Sequence, residues 1–173
     1  MLRNGLSALA GMIAAMIVTT LLQIVAHFVD PPSREIIEAF RNIYNDDPTI
    51  VEAARETLAR ELSKQPLQLV LVIVSHALGT FFGALIAVRA SRVAHIVPAS
   101  IVGGVMLMGG IANVMLIPHP VWFNAIDLLL YIPAALLACR LVAPRVSDAA
   151  AADPDPNHKD DQGSTADMTP VES

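Results

Sequence analysis

Four stretches of this chain carry almost no charge: residues 5–29, 67–88, 93–117 and 121–139, which are 25, 22, 25 and 19 residues long. About 20 residues of helix cross a hydrocarbon layer of roughly 30 Å, so each stretch is long enough to span a bilayer. Helix is the expected form, because lipid offers no partners to backbone N–H and C=O groups. The sequence therefore predicts an all-α polytopic membrane protein, with four transmembrane helices in an antiparallel bundle. A hydrophobic fraction of 54% with 16% charged residues fits that class better than a soluble domain. Arg3 followed by an apolar run invites a signal-peptide reading. The run is about 25 residues long, against 7–15 for a signal core, and no small-residue cleavage site precedes Asp30, so an uncleaved first span is expected.

Charge sets the expected orientation. Arg3 precedes the first span, Arg89 and Arg92 lie between the second and third, and Arg140 and Arg145 follow the fourth. The segment 30–66 has five basic residues against eight acidic ones, and the 118–120 turn has no Lys or Arg. Both termini are therefore expected in the cytoplasm of a bacterial cell, in the inner (plasma) membrane, with 30–66 outside and Trp122 and Phe123 at the outer interface. Residues 146–173 hold seven acidic groups against Lys159 alone, which accounts for the formal charge of −5. The expected organisation is thus a transmembrane domain over 1–145 and a disordered acidic tail over 146–173. No basic stripe points to nucleic acid, and the single Cys139 excludes an intramolecular disulfide and a Cys-rich metal site.

Residues 30–66 make too long a connection to be structureless. Ile36, Ile37, Phe40, Ile43 and Tyr44 recur at helical spacing, as do Ile50, Val51, Ala54, Leu58 and Leu62. Two short amphipathic helices are expected, on the bundle's outer end or at the headgroups. Thr49 with Glu52 suggests a capping box for the second, and Glu56–Arg60 an i,i+4 pair on its wet side. The short links around 89–92 and 118–120 force antiparallel neighbours. Pro133 inside the fourth span is expected to bend it.

Polar groups within the hydrocarbon are costly and tend to have a use. His27, His76, Asn113, Asn124, Asp127 and Tyr131 are the candidates, joined by Thr19, Gln23 and Ser75. At 1.5 Å per residue, Asn113 lies about 6 Å, Asp127 about 9 Å and His76 about 13 Å from the outer boundary. His76 shares its stripe with Gly79 and Gly83, and Asn113 lies above Gly109 and Gly110; small residues mark faces where helices approach closely. The row Gly11, Ala15, Thr19, Gln23 and His27 drifts about 40° per step, which leaves Gln23 and His27 as its expected close companions. No Lys or Arg lies within the spans, so His76 or His27 is the natural partner of Asp127.

Three readings stay open for this group: a satisfied interhelical network, an outer cavity for a solute or ion, and catalysis. Ser75 adjoins His76 in sequence and so points to a different face, which leaves no convergent nucleophile and base. The expectation is a non-catalytic binding or accessory protein, without cofactor. A small oligomeric transporter or channel, or an intramembrane enzyme, is the alternative. A metal site drawn from His27, His76, His119 and Asp127 lacks the short ligand spacing that would specify one, and His119 reads as an exposed ring in a rigid Pro-His-Pro turn. The expected partners are the bilayer and a second copy or another membrane protein.

The run Gly109-Gly110-Ile111-Ala112-Asn113 through Ile117-Pro118-His119-Pro120-Val121-Trp122-Phe123 to Asp127, Tyr131 and Pro133 resembles a pattern in a family of small, uncharacterised four-span bacterial membrane proteins. His76 followed by Gly79 fits the same resemblance, which covers roughly 67–142. It implies the four-span architecture and names no reaction, since that family has no assigned activity.

Overall fold

In the computed structural model, residues 2–91 and 96–151 are described, with side chains given for 5–91 and 96–142. Six helices follow one another: α1 (Leu2–Val29), α2 (Arg34–Asn42), α3 (Pro48–Leu62), α4 (Pro66–Ala90), α5 (Ile96–Leu116) and α6 (Val121–Ala151). Four are long and apolar enough to cross a membrane, over Gly5–Val29, Pro66–Ala90, Ile96–Leu116 and Val121–Val142. The chain is a multi-pass membrane protein built as an all-helical bundle. Large apolar side chains line the outside of these helices, among them Leu6, Ile13, Met16, Phe28, Met108 and Leu129, each about half exposed or more. Water would penalise such a surface, whereas lipid chains solvate it.

Two compact units divide the chain, Met1–Ala143 and Pro144–Ser173. The second is described as far as Ala151, and it is helical there. Ala149, Ala150 and Ala151 are strong helix formers, so the helix extends beyond residue 146, where an unstructured tail was expected to begin. Residues 152–173 of the expected acidic tail, and Arg92, lie outside the described residues.

Within the first unit, the bundle interior is built from small side chains. Ala15, Ala84, Ala87, Ala99, Ala135 and Ala138 are each at most 1% exposed, with Val88 and Val102 among them. Apolar area gains little by leaving lipid for protein, so spanning helices associate through close packing, and small residues permit it. Gly83 shows how tight the fit is. A Cβ there would come within 2.5 Å of Ala15 Cβ and 2.6 Å of the Gly11 carbonyl oxygen. At Gly79 an added Cβ would strike Thr19 Oγ1, and at Gly11 it would meet the Gly83 oxygen at 2.5 Å. Gly11, Ala15 and Thr19 of α1 thus interlock with Ala87, Gly83 and Gly79 of antiparallel α4.

This corrects the expectation that only the outer members of the α1 row stay together. The i,i+4 row is a ridge inclined to the helix axis, and a partner that crosses α1 follows the ridge. Gly11, Ala15, Thr19 and Gln23 all meet α4, and His27 is the member that turns away, exposed.

A second core has larger residues. Ile36, Ala39 and Ile43 of α2 and Ala54, Leu58 and Leu62 of α3 pack on Leu69 and Ile73 of α4 and Phe123 of α6. Leu58 and Phe123 are fully buried and Ile36 is 1% exposed. Here α2 and α3 stand outside the spans, so each such burial contributes about 1.5–3 kcal/mol through the hydrophobic effect. The α2–α3 pair is therefore docked on the bundle end, while Ile37, Phe40 and Tyr44 stay exposed.

Local chemistry sets the helix starts. Ser33 caps α2 by accepting from Ile36 N–H. Asp47, and not Thr49, caps α3, since Pro48 occupies the first helical position and Asp47 Oδ1 accepts from Thr49 N–H at 2.9 Å. Arg60 pairs with Glu61 at 2.9 Å in place of Glu56, and Lys64 reaches the same carboxylate at 2.8 Å. These two cations hold the Glu61 carboxyl below the ordinary carboxylate range.

Candidate functional site

His76 lies on α4, one turn before Gly79, at the level where α1 and α6 both approach. Asp127 and Tyr131 are four residues apart on α6 and so share a face. His76 Nδ1 and Asp127 Oδ1 are 2.8 Å apart. Tyr131 donates its hydroxyl to Asp127 Oδ2 at 3.1 Å, and its oxygen lies 3.0 Å from His76 Nδ1. On the other side of the ring, Gln23 Nε2 faces His76 Nε2 at 3.2 Å. One set of donors satisfies these distances: His76 Nδ1–H donates to the carboxylate, and Nε2 accepts from the Gln23 amide. Three helices are thereby tied through one imidazole.

The burial is graded. Asp127 is 1% exposed and Tyr131 2%, while the His76 side chain is 15% exposed. The carboxylate therefore lies behind the imidazole and the phenol. Gly110 of α5 makes room for this, since a Cβ there would come within 2.6 Å of Tyr131 Cε2 and 3.0 Å of its hydroxyl. Next to the set, Thr19 Oγ1 donates to the Ser75 carbonyl at 3.4 Å. Ser75 donates its own hydroxyl to Leu71 O at 2.7 Å, within its helix.

In front of His76 lies a cavity of about 990 Å³, walled by α1 and α5 and covered by α2. It follows α1 from Leu9 to His27, roughly 27 Å at 1.5 Å per residue. Its walls are graded too. Leu9, Met12, Met16, Val105 and Met106 line one end; Gln23, His76, Asn113 and His119 line the end near α2. Ile13 and Met16 line it while more than half exposed, so it opens sideways between α1 and α5, where lipid chains lie.

The sequence candidates separate accordingly. His76, Asp127 and Tyr131 come together as one hydrogen-bonded set. Asn113 lines the same cavity without joining the set. His27 also lines the cavity but is exposed, and its Nδ1 lies 3.0 Å from the Gln23 carbonyl of its own helix. Asn124 lies off the cavity, its Oδ1 buried without a partner. Gly79, Gly83 and Gly110 are sites of close approach. An added Cβ at Gly109, in contrast, would meet nothing within 4 Å, and the close approach of α5 to α6 is made by Gly110 together with Gly103, whose added Cβ would lie 2.8 Å from Ala135 Cβ.

His119 departs from the expected exposed ring. It is half-buried, stacked on Phe123 with ring centroids 4.5 Å apart and planes 21° apart, and its Nδ1 is buried without a partner. Burial pushes its pKa below the ordinary histidine value. Gln68 was not anticipated. It is 9% exposed, lines the cavity, and carries an unpaired buried Oε1. Its signal was available: Gln68 sits two helical turns before His76, on the same face.

Among the described residues no group of three His, Cys, Asp or Glu side chains is placed to hold a metal ion. The hydrogen-bond partners of His76 among the described residues are Asp127, Tyr131 and Gln23. The chemistry of the site is hydrogen bonding: an imidazole edge and several amides, with Arg41, His119 and two threonines also among the lining of a chamber that is apolar at its other end. In comparisons with known proteins, no family model, no curated protein and no solved structure matches the chain.

Proposed function

We propose that this protein is a non-catalytic binding protein of the bacterial plasma membrane, and that its ligand is an amphiphile held in the cavity between α1 and α5. One observation carries the reading: the 990 Å³ chamber has an apolar end within the bundle and a polar end at His76, Gln23 and Asn113. Ligand sites are mostly apolar concavities of roughly 300–1,000 Å³ with a few convergent polar groups. A lateral opening suits a ligand that already resides in the bilayer.

The basic residues favour an orientation with α2 and α3 outside the cell. Arg89 and Arg140 stand at the other end of the bundle, and α2–α3 with their flanks carry the excess of acidic groups. In a background without Cys139, a membrane-impermeant thiol reagent applied to whole cells should label a cysteine at Ser63 and spare one at Ala90. The opposite pattern would reverse the orientation.

The binding reading has a direct test. Gly109 borders the chamber and has open space where a side chain would start, so Gly109→Trp fills the cavity without striking a neighbour at its Cβ. Native mass spectrometry of the wild-type protein, released from mild detergent, should show one retained bilayer amphiphile per chain. G109W should retain none while melting at an unchanged temperature, with Gly109→Leu as an intermediate. Equal retention by wild type and both variants would refute the site.

A further inference from the structure

The polar end of the cavity has a chemical bias that specifies more than an amphiphile. Arg41 of α2 lines it, and no Asp or Glu does. Asp127 is the nearest carboxylate of the bundle network, and it is screened behind His76 and Tyr131. Arg41, an exposed residue near the end of α2, is thus a cationic side chain among the lining residues, with no carboxylate in that lining to oppose it. Arg pairs with phosphodiester oxygens through two parallel N–H donors, and such charge-assisted bonds are the stronger ones.

Two further groups call for the opposite polarity. Gln68 Oε1, on a residue more than nine-tenths buried, is an acceptor with no donor. His119 also lines the cavity, and its buried, unpartnered Nδ1 is an acceptor in the tautomer protonated at Nε2. A buried acceptor left unpaired costs about 1–3 kcal/mol. Both residues line the chamber that Arg41 borders, and a turn of either side chain would bring its occluded polar atom to an occupant carrying O–H or N–H donors next to an anionic group. A zwitterion lacking such donors would satisfy neither acceptor and would bring its own cation towards Arg41. The opposite end of the chamber, at Leu9, Met12 and Met106, suits hydrocarbon.

We infer that the ligand is an anionic lipid whose headgroup bears hydroxyl donors, with its phosphate on Arg41, its hydroxyls on Gln68 and His119, and a chain in the α1–α5 groove. This rests on the amphiphile-binding reading above. The occupant is a bilayer lipid and not a free headgroup, since the apolar end makes up much of the chamber.

The test uses the full-length protein and three probes in equimolar competition, read by native mass spectrometry. The probes are phosphatidylglycerol, phosphatidic acid and phosphatidylcholine of matched chains. Wild type should retain one phosphatidylglycerol about tenfold in preference to phosphatidylcholine, the scale of one charge-assisted hydrogen bond. Arg41→Gln should bring the two to parity, and Arg41→Lys should keep part of the preference. Gln68→Leu should narrow the gap between phosphatidylglycerol and phosphatidic acid, which has the charge without the hydroxyls. Equal retention of phosphatidylglycerol and phosphatidylcholine, with both lost in G109W, would overturn the headgroup assignment and leave the cavity reading standing. Absence of any 1:1 adduct would overturn both. Saturable competition by water-soluble glycerophosphoglycerol would overturn the lipid arm, because it would show that the headgroup binds without a chain.

Discussion

Asp127 is a carboxylate 1% exposed inside a spanning bundle, and its two partners are His76 at 2.8 Å and Tyr131 at 3.1 Å. Removing one partner of a buried charged pair costs about 3–5 kcal/mol in soluble proteins, because the other charge is left unsatisfied. Interhelical hydrogen bonds in membranes contribute less, about 0.6 kcal/mol on average and about 1.7 at most, because the unfolded helices in lipid also find partners. His76→Ala removes the Nδ1 donor and leaves the carboxylate with the tyrosine hydroxyl alone, so its cost should be about 1–3 kcal/mol, that of a buried acceptor losing a donor. Asp127→Asn removes the charge and keeps the shape; the imidazole answers by changing tautomer, so the cost should be nearer 1 kcal/mol. In the double variant no charge is stranded. Its cost should therefore fall short of the two single costs together by about 1–2 kcal/mol. The measurement is reversible unfolding in mixed micelles, followed by the single Trp122, which packs edge-on against Phe123 of the same helix. A coupling energy within about 0.3–0.5 kcal/mol of zero is what independent sites show, and it would refute the His76–Asp127 pairing as an energetic unit.

Gly83→Val should cost about 1–3 kcal/mol or more by overpacking α1, since its Cβ would meet Ala15 Cβ at 2.5 Å and the Gly11 backbone at 2.6 Å. Gly104→Ala, with nothing within 4 Å of the added carbon, should be neutral or slightly stabilising in the same unfolding assay. Phe123→Ala should lower stability by about 3–5 kcal/mol, because the fully buried ring joins α2 and α3 to the bundle; protease sensitivity in the 30–66 segment should rise with it. For His119, burial lowers the pKa below 6.5 in the folded chain. The unfolded chain then takes up the proton first, so folding stability should be full above that value and decline as pH falls through it. His119→Phe should remove this decline, seen in melting temperatures from pH 7.5 to 5, and an unchanged acid-side slope would clear His119 of the effect.

How far these features were legible follows from what fixes each one. The spans were legible because a bilayer imposes a length and a composition on any helix that crosses it, and both are properties of single segments. The cap on α3 was misread because two overlapping starts, Asp47-Pro48 and Thr49-x-x-Glu52, are both sound locally. Proline at the first helical position decides for Asp47. The pairing of His76 with Asp127 was reachable by elimination, since the spans hold no Lys or Arg.

The cavity was not legible, and the reason is geometric. A wheel projection treats the α1 row from Gly11 to Gln23 as dispersing around the helix, but a crossing partner converts that inclined ridge into one contact face. The ridge from Gly11 to Gln23 packs on α4, Gly11 also lies against Val102 of α5, and the chamber opens beside the ridge, where Thr19 and Gln23 line it with Val105, Gly109 and Asn113 of α5. Gly109 then falls beside empty volume and Gly103 at the contact with α6, although a count of small residues ranks them alike. The same crossing turns His27 outward and brings Gln23 onto the imidazole. The polar site and the chamber beside it are therefore two consequences of one packing choice. A substitution that repacks the ridge, such as Ala15→Leu, should disturb both together. It should lower stability and abolish amphiphile retention in the native mass spectrum. Loss of stability with retention intact would show that the chamber forms independently of the α1–α4 crossing.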